Sequence, residues 1–257
     1  MSDFKTIAQS FKLQDELCPD IWYLPNEKFM GDPDAQDEKM KPEIRERLLE
    51  IATEFIDFLK VDIFIEDIIM MGSLSNYNWS QFSDVDLHIV TDFNNYGENK
   101  ELYEDLFRLK KNYFNLMQDI KIKGFDVELF VQDANEEHFS SAVYSVLNDM
   151  WVEKPKKEEI VIDNKILKEK TESWMSIIDE LIDNVDDEDV EDAKELVSKY
   201  KKKLRNYRIS GLKEGGEYSY ENLVYKVLRR NGYLGKLQNL ENDIIDKKLS
   251  LKENELY

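Results

Sequence analysis

In KPEIRERLLEIATEFIDFLK, residues 41–60, Ile44, Leu48, Ile51, Phe55 and Phe58 recur at spacings of four and three. That period gathers them on one face of a helix, and Pro42 suits its first turn, where a missing N–H costs nothing. DIFIEDIIMMGS follows as a β-rich run ending at Gly72. In SDVDLHIV the alternation puts Asp84, Asp86 and His88 on one face of a strand and Val85, Leu87 and Ile89 on the other. NKELYEDLFRLKKNYFNLMQDI then carries Leu102, Leu106, Leu109, Tyr113 and Leu116 at helical spacing, the expected apolar stripe of a second amphipathic helix. GFDVELFVQ alternates again, with Phe125, Val127, Leu129 and Val131 to one side and Asp126 and Glu128 to the other. Helix, strand, short helix, strand, helix, strand is the order of a mixed α/β unit.

Beyond about residue 150 the pattern changes. WVEKPKKEEIVIDN reads as a connection, after which helical spacing dominates: Leu167, Trp174, Ile178 and Leu181, then Ala193, Leu196, Tyr200, Leu204 and Tyr207. Ser219 is an expected N-cap following a Gly-Gly turn, and Gly232 is expected to end or bend the helix that Ser219 starts. The organisation predicted is an N-terminal arm over 1–40, an α/β domain over 41–162 and a helical domain over 163–257, with no internal repeat.

Composition narrows the function. The 257 residues are 42% apolar and 35% charged, a globular balance. A formal net charge of -20 disfavours a main role in gripping long nucleic acid, which needs clustered Lys and Arg. The acids concentrate in Asp183–Asp192, whereas Lys199–Lys213 holds seven basic residues and no acidic one, so a local basic face is compatible with the total. Cys18 stands alone and the imidazoles are His88 and His138, which excludes an internal disulfide and disfavours thiolate or histidine metal cages. No run approaches the length of a membrane span, and the first residues lack a secretory apolar core; a cytoplasmic protein with no membrane partner is expected.

Two aspartates side by side on a half-buried strand repel unless a cation compensates, and a hard oxygen-loving ion such as Mg2+ is the natural partner. An isolated Asp-x-Asp is more often an exposed polar strand face. Here, however, Gly72-Ser73 closes the preceding apolar strand, where glycine allows close backbone approach and serine and amides can hold phosphate oxygens. A third acidic position lies on the later strand, at Asp126 or Glu128. A phosphate cradle, two metal-binding aspartates and a third carboxylate are the parts of two-metal nucleotidyl transfer.

In order and spacing, MMGS (Met70–Ser73), SDVDL (Ser83–Leu87) and FDVEL (Phe125–Leu129) resemble the signature of the DNA polymerase beta-type nucleotidyltransferase superfamily. LCPDIW, PEIRERLLEIA, FDVELFVQD, VYSVLNDMW and GGEYSYENLVYKVLRRNGYL further resemble nucleotidyltransferases encoded in phage and marine metagenomic genomes, over nearly the whole chain. The resemblance implies an α/β (α+β) nucleotidyltransferase fold with a mixed sheet, followed by an α-helical domain. It implies an NTP as substrate, ATP by default, two Mg2+ ions with Mn2+ as an alternative, and, for a phage-encoded chain, the host cytoplasm. Gly72 and Ser73 would contact the terminal phosphates, and Asp84 and Asp86 would bridge the ions. Asp126 or Glu128 would complete one metal site and take the proton from the acceptor hydroxyl, with Glu128 slightly preferred. The competing reading is a non-catalytic nucleotide sensor or interaction protein on the same fold. It is disfavoured because all three acidic positions are filled.

The remaining candidates carry plainer alternatives. Arg229 and Arg230, with Lys226 and Lys236, suit contact with triphosphate or acceptor phosphates, or equally a solvated helix face. Tyr77 and Trp79 suit base stacking, and at least as well packing of the short helix. His88 is expected chiefly to hydrogen-bond at the base of its strand, and His138 to end a loop or helix.

Overall fold

In the computed structural model the described residues are 13–23, 38–136, 140–157, 160–185 and 189–250. They fall into two compact units, one within Ser10–Glu159 and one within Ile160–Tyr257. His138 lies outside the described residues.

The first unit is mixed α/β. A two-stranded ribbon of β1 (Trp22–Tyr23) and β2 (Lys39–Met40) leads into helix α1 (Pro42–Leu59). A six-stranded sheet follows from β3 (Asp67–Met71), β4 (Val85–Thr91), β5 (Lys121–Ile122), β6 (Phe125–Asp133), β7 (Val143–Ser145) and β8 (Met150–Glu153), in the spatial order β5-β6-β4-β3-β7-β8. The β4–β6 pair is parallel and the other neighbours are antiparallel, so the sheet is mixed. Helix α2 (Lys100–Met117) makes the crossover that a parallel pair demands.

Helix α1 forms as its pattern dictates. Pro42 opens it, Lys60 ends it in the left-handed region at φ 55°, and Ile44, Leu48, Ile51, Ala52, Phe55 and Leu59 are buried. The larger of these side chains contribute about 1.5–3 kcal/mol each by leaving water. The residues set apart as an arm supply core here: Leu17, Cys18, Ile21, Trp22 and Met40 are all buried. Trp22 stacks on Trp151 at 4.6 Å and meets Tyr144 edge-on at 5.0 Å, while its indole N–H donates to Leu74 O at 2.7 Å. The stretch expected to begin a connection at Trp151 instead completes the β7–β8 hairpin, whose strands are too short to show a period.

Helix α2 turns a different face to the core from the one its leucines suggest. Phe107 and Phe114 are buried, whereas Leu102, Leu109 and Leu116 are 66%, 65% and 81% exposed. Two interactions set this rotation. Phe114 packs its ring on Phe55 and Phe58, and Phe107 packs on Phe93. The Asn115 side chain donates to Leu129 O at 3.0 Å and accepts from Leu129 N at 3.1 Å, fixing α2 along β6.

The second unit contains α3 (Asn164–Val185), α4 (Val190–Gly215), α5 (Tyr220–Arg230) and α6 (Tyr233–Leu249). Asp189 caps α4 through Glu191 N at 2.9 Å, and Ser219 caps α5 through Asn222 N at 3.4 Å. Gly232, at φ 76°, makes the break between α5 and α6. Leu167, Trp174, Ile178 and Leu181 of α3 are buried, as are Ala193, Val197 and Leu204 of α4. Among the described residues no helix is long and apolar enough to cross a membrane.

Candidate metal centre

The site is built by strand register. Val85, Leu87 and Ile89 are fully buried on the back of β4, so Asp84, Asp86 and His88 turn to the front. Asp86 lies opposite Met71 of β3 on one side and opposite Glu128 of β6 on the other. Carboxylate oxygens of Asp84, Asp86 and Glu128 consequently lie within 4.8 Å of one another, each residue half-buried. At that separation and an effective dielectric near 20, two ionised carboxylates repel by about 3 kcal/mol. Three converging oxygen donors with that repulsion suit a hard divalent cation, and the cluster is able to hold a metal ion.

Asp126 does not join them. It lies opposite Lys121 of β5 and pairs with that ammonium at the sheet edge, with its side chain 66% exposed. Of the two candidate acids on β6, Asp126 and Glu128, the register therefore brings Glu128 to the aspartates.

Gly72 has a reason that spacing alone does not reveal. A Cβ built on it would stand 2.0 Å from Asp86 Oδ2, so the carboxylate occupies the space that any side chain would need. Its φ of 82° with ψ of -162° is also a conformation that glycine alone adopts readily. Gly72 N donates to Ser140 Oγ at 3.3 Å, and Ser140 Oγ donates to Ala142 O at 2.8 Å, tying the end of β3 to the segment before β7. The short helix expected after Gly72 is a single 3-10 turn, Ser73–Ser75, too short to carry a helix-terminal anion site. Ser73 Oγ instead donates to Ser83 Oγ at 2.8 Å, closing the 72–84 loop beside Asp84.

Tyr77 and Trp79 serve packing. Trp79 Nε1 donates to Glu16 O at 2.9 Å, Tyr77 Oη reaches Glu38 Oε1 at 3.5 Å, and both rings pack on the core. Burial and the Glu38 carboxylate push the Tyr77 phenol up. Arg229 and Arg230 belong to the helical unit, in the last turn of α5, and Lys236 of that unit pairs with Asp179 at 2.9 Å.

Lys111, Phe130, Ser83 and Ser140 join the site without having been singled out from the sequence. His88 and Phe130 lie opposite each other across β4 and β6, their rings stacked at 4.5 Å and 14°. Lys111 of α2 holds its ammonium 4.1 Å from the Phe130 centroid. Burial pulls the Lys111 amine down, while the Glu128 and Asp86 carboxylates pull it back up. Phe130 was findable, being two residues beyond Glu128 on the same strand face. Lys111 was findable only once Asn115, one turn away, was known to face β6.

Compared with protein-family models, with curated proteins and with solved structures, the chain matches none.

Proposed function

We propose that this chain is a metal-dependent nucleotidyltransferase that moves NMP from an NTP, ATP by default, to a hydroxyl or phosphate acceptor. The observation that carries the reading is the convergence of Asp84, Asp86 and Glu128 from two neighbouring strands, with Gly72-Ser73 at the end of the next strand.

In this reading the acceptor oxygen bonds to the α-phosphorus and the α–β phosphoanhydride bond breaks, its electron pair leaving with pyrophosphate. Glu128 takes the acceptor proton. Asp84, Asp86 and Glu128 would hold two Mg2+ ions, which supply charge neutralisation for the triphosphate and polarise the reacting oxygens. Ser73 positions phosphate oxygens once its hydroxyl swings from Ser83. The buried back of β4 and the Asn115 anchor keep the three acids in place, so positioning and charge, not a protein nucleophile, account for the rate.

The test is magnesium-dependent pyrophosphate release from each NTP. Asp84→Ala and Asp86→Ala should abolish it while leaving the far-ultraviolet circular dichroism unchanged. Full activity in both variants refutes the proposal, and metal-dependent NTP binding without turnover in the wild type would favour a nucleotide sensor.

A further inference from the structure

The order of strands separates the two ends of the site. Gly72 and Ser73 lie at the end of β3, on one side of β4, and Glu128 lies on β6, on the other side. Helix α2 runs beyond β6, with Asn115 bonded to Leu129 and Lys111 one turn earlier on the same helix face. Lys111 therefore approaches the cluster from the β6 side, whereas Gly72-Ser73 lie on the β3 side. It stands beside the third carboxylate, away from the phosphate cradle.

Its surroundings are unusual for a lysine. The ammonium is half-buried against the Phe130 ring, which His88 covers from the β4 side. The carboxylates that support its charge are Glu128 and Asp86, both members of the metal cluster. Glu128 and Asp86 would be engaged as ligands of ions whose charge the triphosphate balances, and would no longer serve the Lys111 ammonium. Lys111 then loses its compensation, and a half-buried ammonium without a counter-charge is costly.

We propose that Lys111, packed over the Phe130 ring, anchors an anionic group of the acceptor. The molecule receiving the nucleotidyl group would then carry a phosphate or carboxylate a few bonds from the hydroxyl it presents to Glu128. This rests on the nucleotidyltransferase reading and names the class of its second substrate. The acceptor's anionic group supplies the counter-charge that Lys111 then lacks, so the acceptor binds best when the metal ions are in place.

Calorimetry of the full chain with Mg2+ and a non-hydrolysable NTP analogue tests it, using glycerol 3-phosphate, glycerate and glycerol as probes that differ only in their anionic group. The phosphate probe, the carboxylate probe or both should bind at least tenfold more tightly than glycerol, and more tightly with Mg2+ than without. Lys111→Met should remove that preference, Lys111→Arg should keep it within about threefold, and Lys165→Met on an exposed helix face should leave it unchanged. Unfolding midpoints of each variant guard against a trivial loss of fold. Equal binding of all three probes, or a preference that survives in Lys111→Met, overturns the proposal. Pyrophosphate release measured in parallel separates the failures. Turnover with no anion preference sinks this inference alone. Anion binding at Lys111 with no turnover for any NTP sinks the transferase reading and the acceptor assignment, leaving a metal-linked anion site.

Discussion

Gly72→Ala puts the geometry of the carboxylate cluster to its most direct test. The new Cβ would meet Asp86 Oδ2 at 2.0 Å and Asp86 Cγ at 3.1 Å, where ordinary contact begins at 3.4 Å, so the carboxylate or the turn must move by about 1.4 Å. The backbone offers no escape, because φ 82° with ψ -162° costs an L side chain about 1–3 kcal/mol. For a unit of this size that lowers the unfolding midpoint by about 2–12 °C. Displacement should matter more than stability, since misplacing a reacting group by about 1 Å costs on the order of a hundredfold in rate. The variant should therefore fold, lack the rise in midpoint expected of the wild type with Mg2+ or Mn2+, and release pyrophosphate at least about a hundredfold more slowly than the wild type under the proposed reaction. A double-mutant cycle isolates the clash: in an Asp86→Ala background the alanine at 72 should cost only its backbone term. If Gly72→Ala keeps the full metal-induced rise in midpoint, the close approach of Gly72 and Asp86 is not what holds the cluster.

Four further outcomes follow from the same structure. Glu128→Gln should abolish metal-induced stabilisation whereas Asp126→Asn should leave it intact; the reverse pattern would move the third ligand to Asp126. Without metal, Asp86→Asn should unfold no lower than the wild type, because removing one of three crowded charges relieves repulsion, and a marked fall in the metal-free midpoint would contradict that account. Phe107→Ala should cost about 3–5 kcal/mol in denaturant unfolding and Leu116→Ala less than about 0.5 kcal/mol, and comparable losses would show that the rotation of α2 is misassigned. Burial raises the Asp133 carboxyl, but N–H groups of Phe93 and Asn135 and the Lys100 ammonium outweigh it and hold the group below the usual range. Its stabilisation is present above the unfolded value near pH 3.9 and is lost as pH falls through the folded value, so Asp133→Asn should flatten the acid limb of the stability profile. An unchanged limb would count against it.

The sequence exposed the site better than it exposed the packing around it. Alternation in SDVDLHIV and FDVELFVQ fixes which residues share a face, and a parallel β4–β6 register then puts Asp86 against Glu128. Choosing Glu128 over Asp126 needed the short strand β5, two residues long and carrying no period of its own. Helix α2 misled because two stripes compete on it, and the leucine stripe is the more regular. Which stripe is buried was decided by partners distant in sequence, Phe55 of α1 and the β6 backbone. The groups that hold Trp22, Leu74 O and Trp151, lie far from it in sequence and were not legible.

The bonds between Asn115 and Leu129 also bear on how molecules of this protein meet one another. Strand β5 and the Ile120 carbonyl before it cover β6 from Phe125 to Val127, so farther along, the backbone of β6 could serve as a template for a strand from another chain. An asparagine side chain carries the same donor and acceptor as a peptide group, and at Leu129 it takes the place such a strand would occupy. Asn115→Leu should thus reveal itself as time-dependent association at high protein concentration, seen by light scattering before any loss of helix.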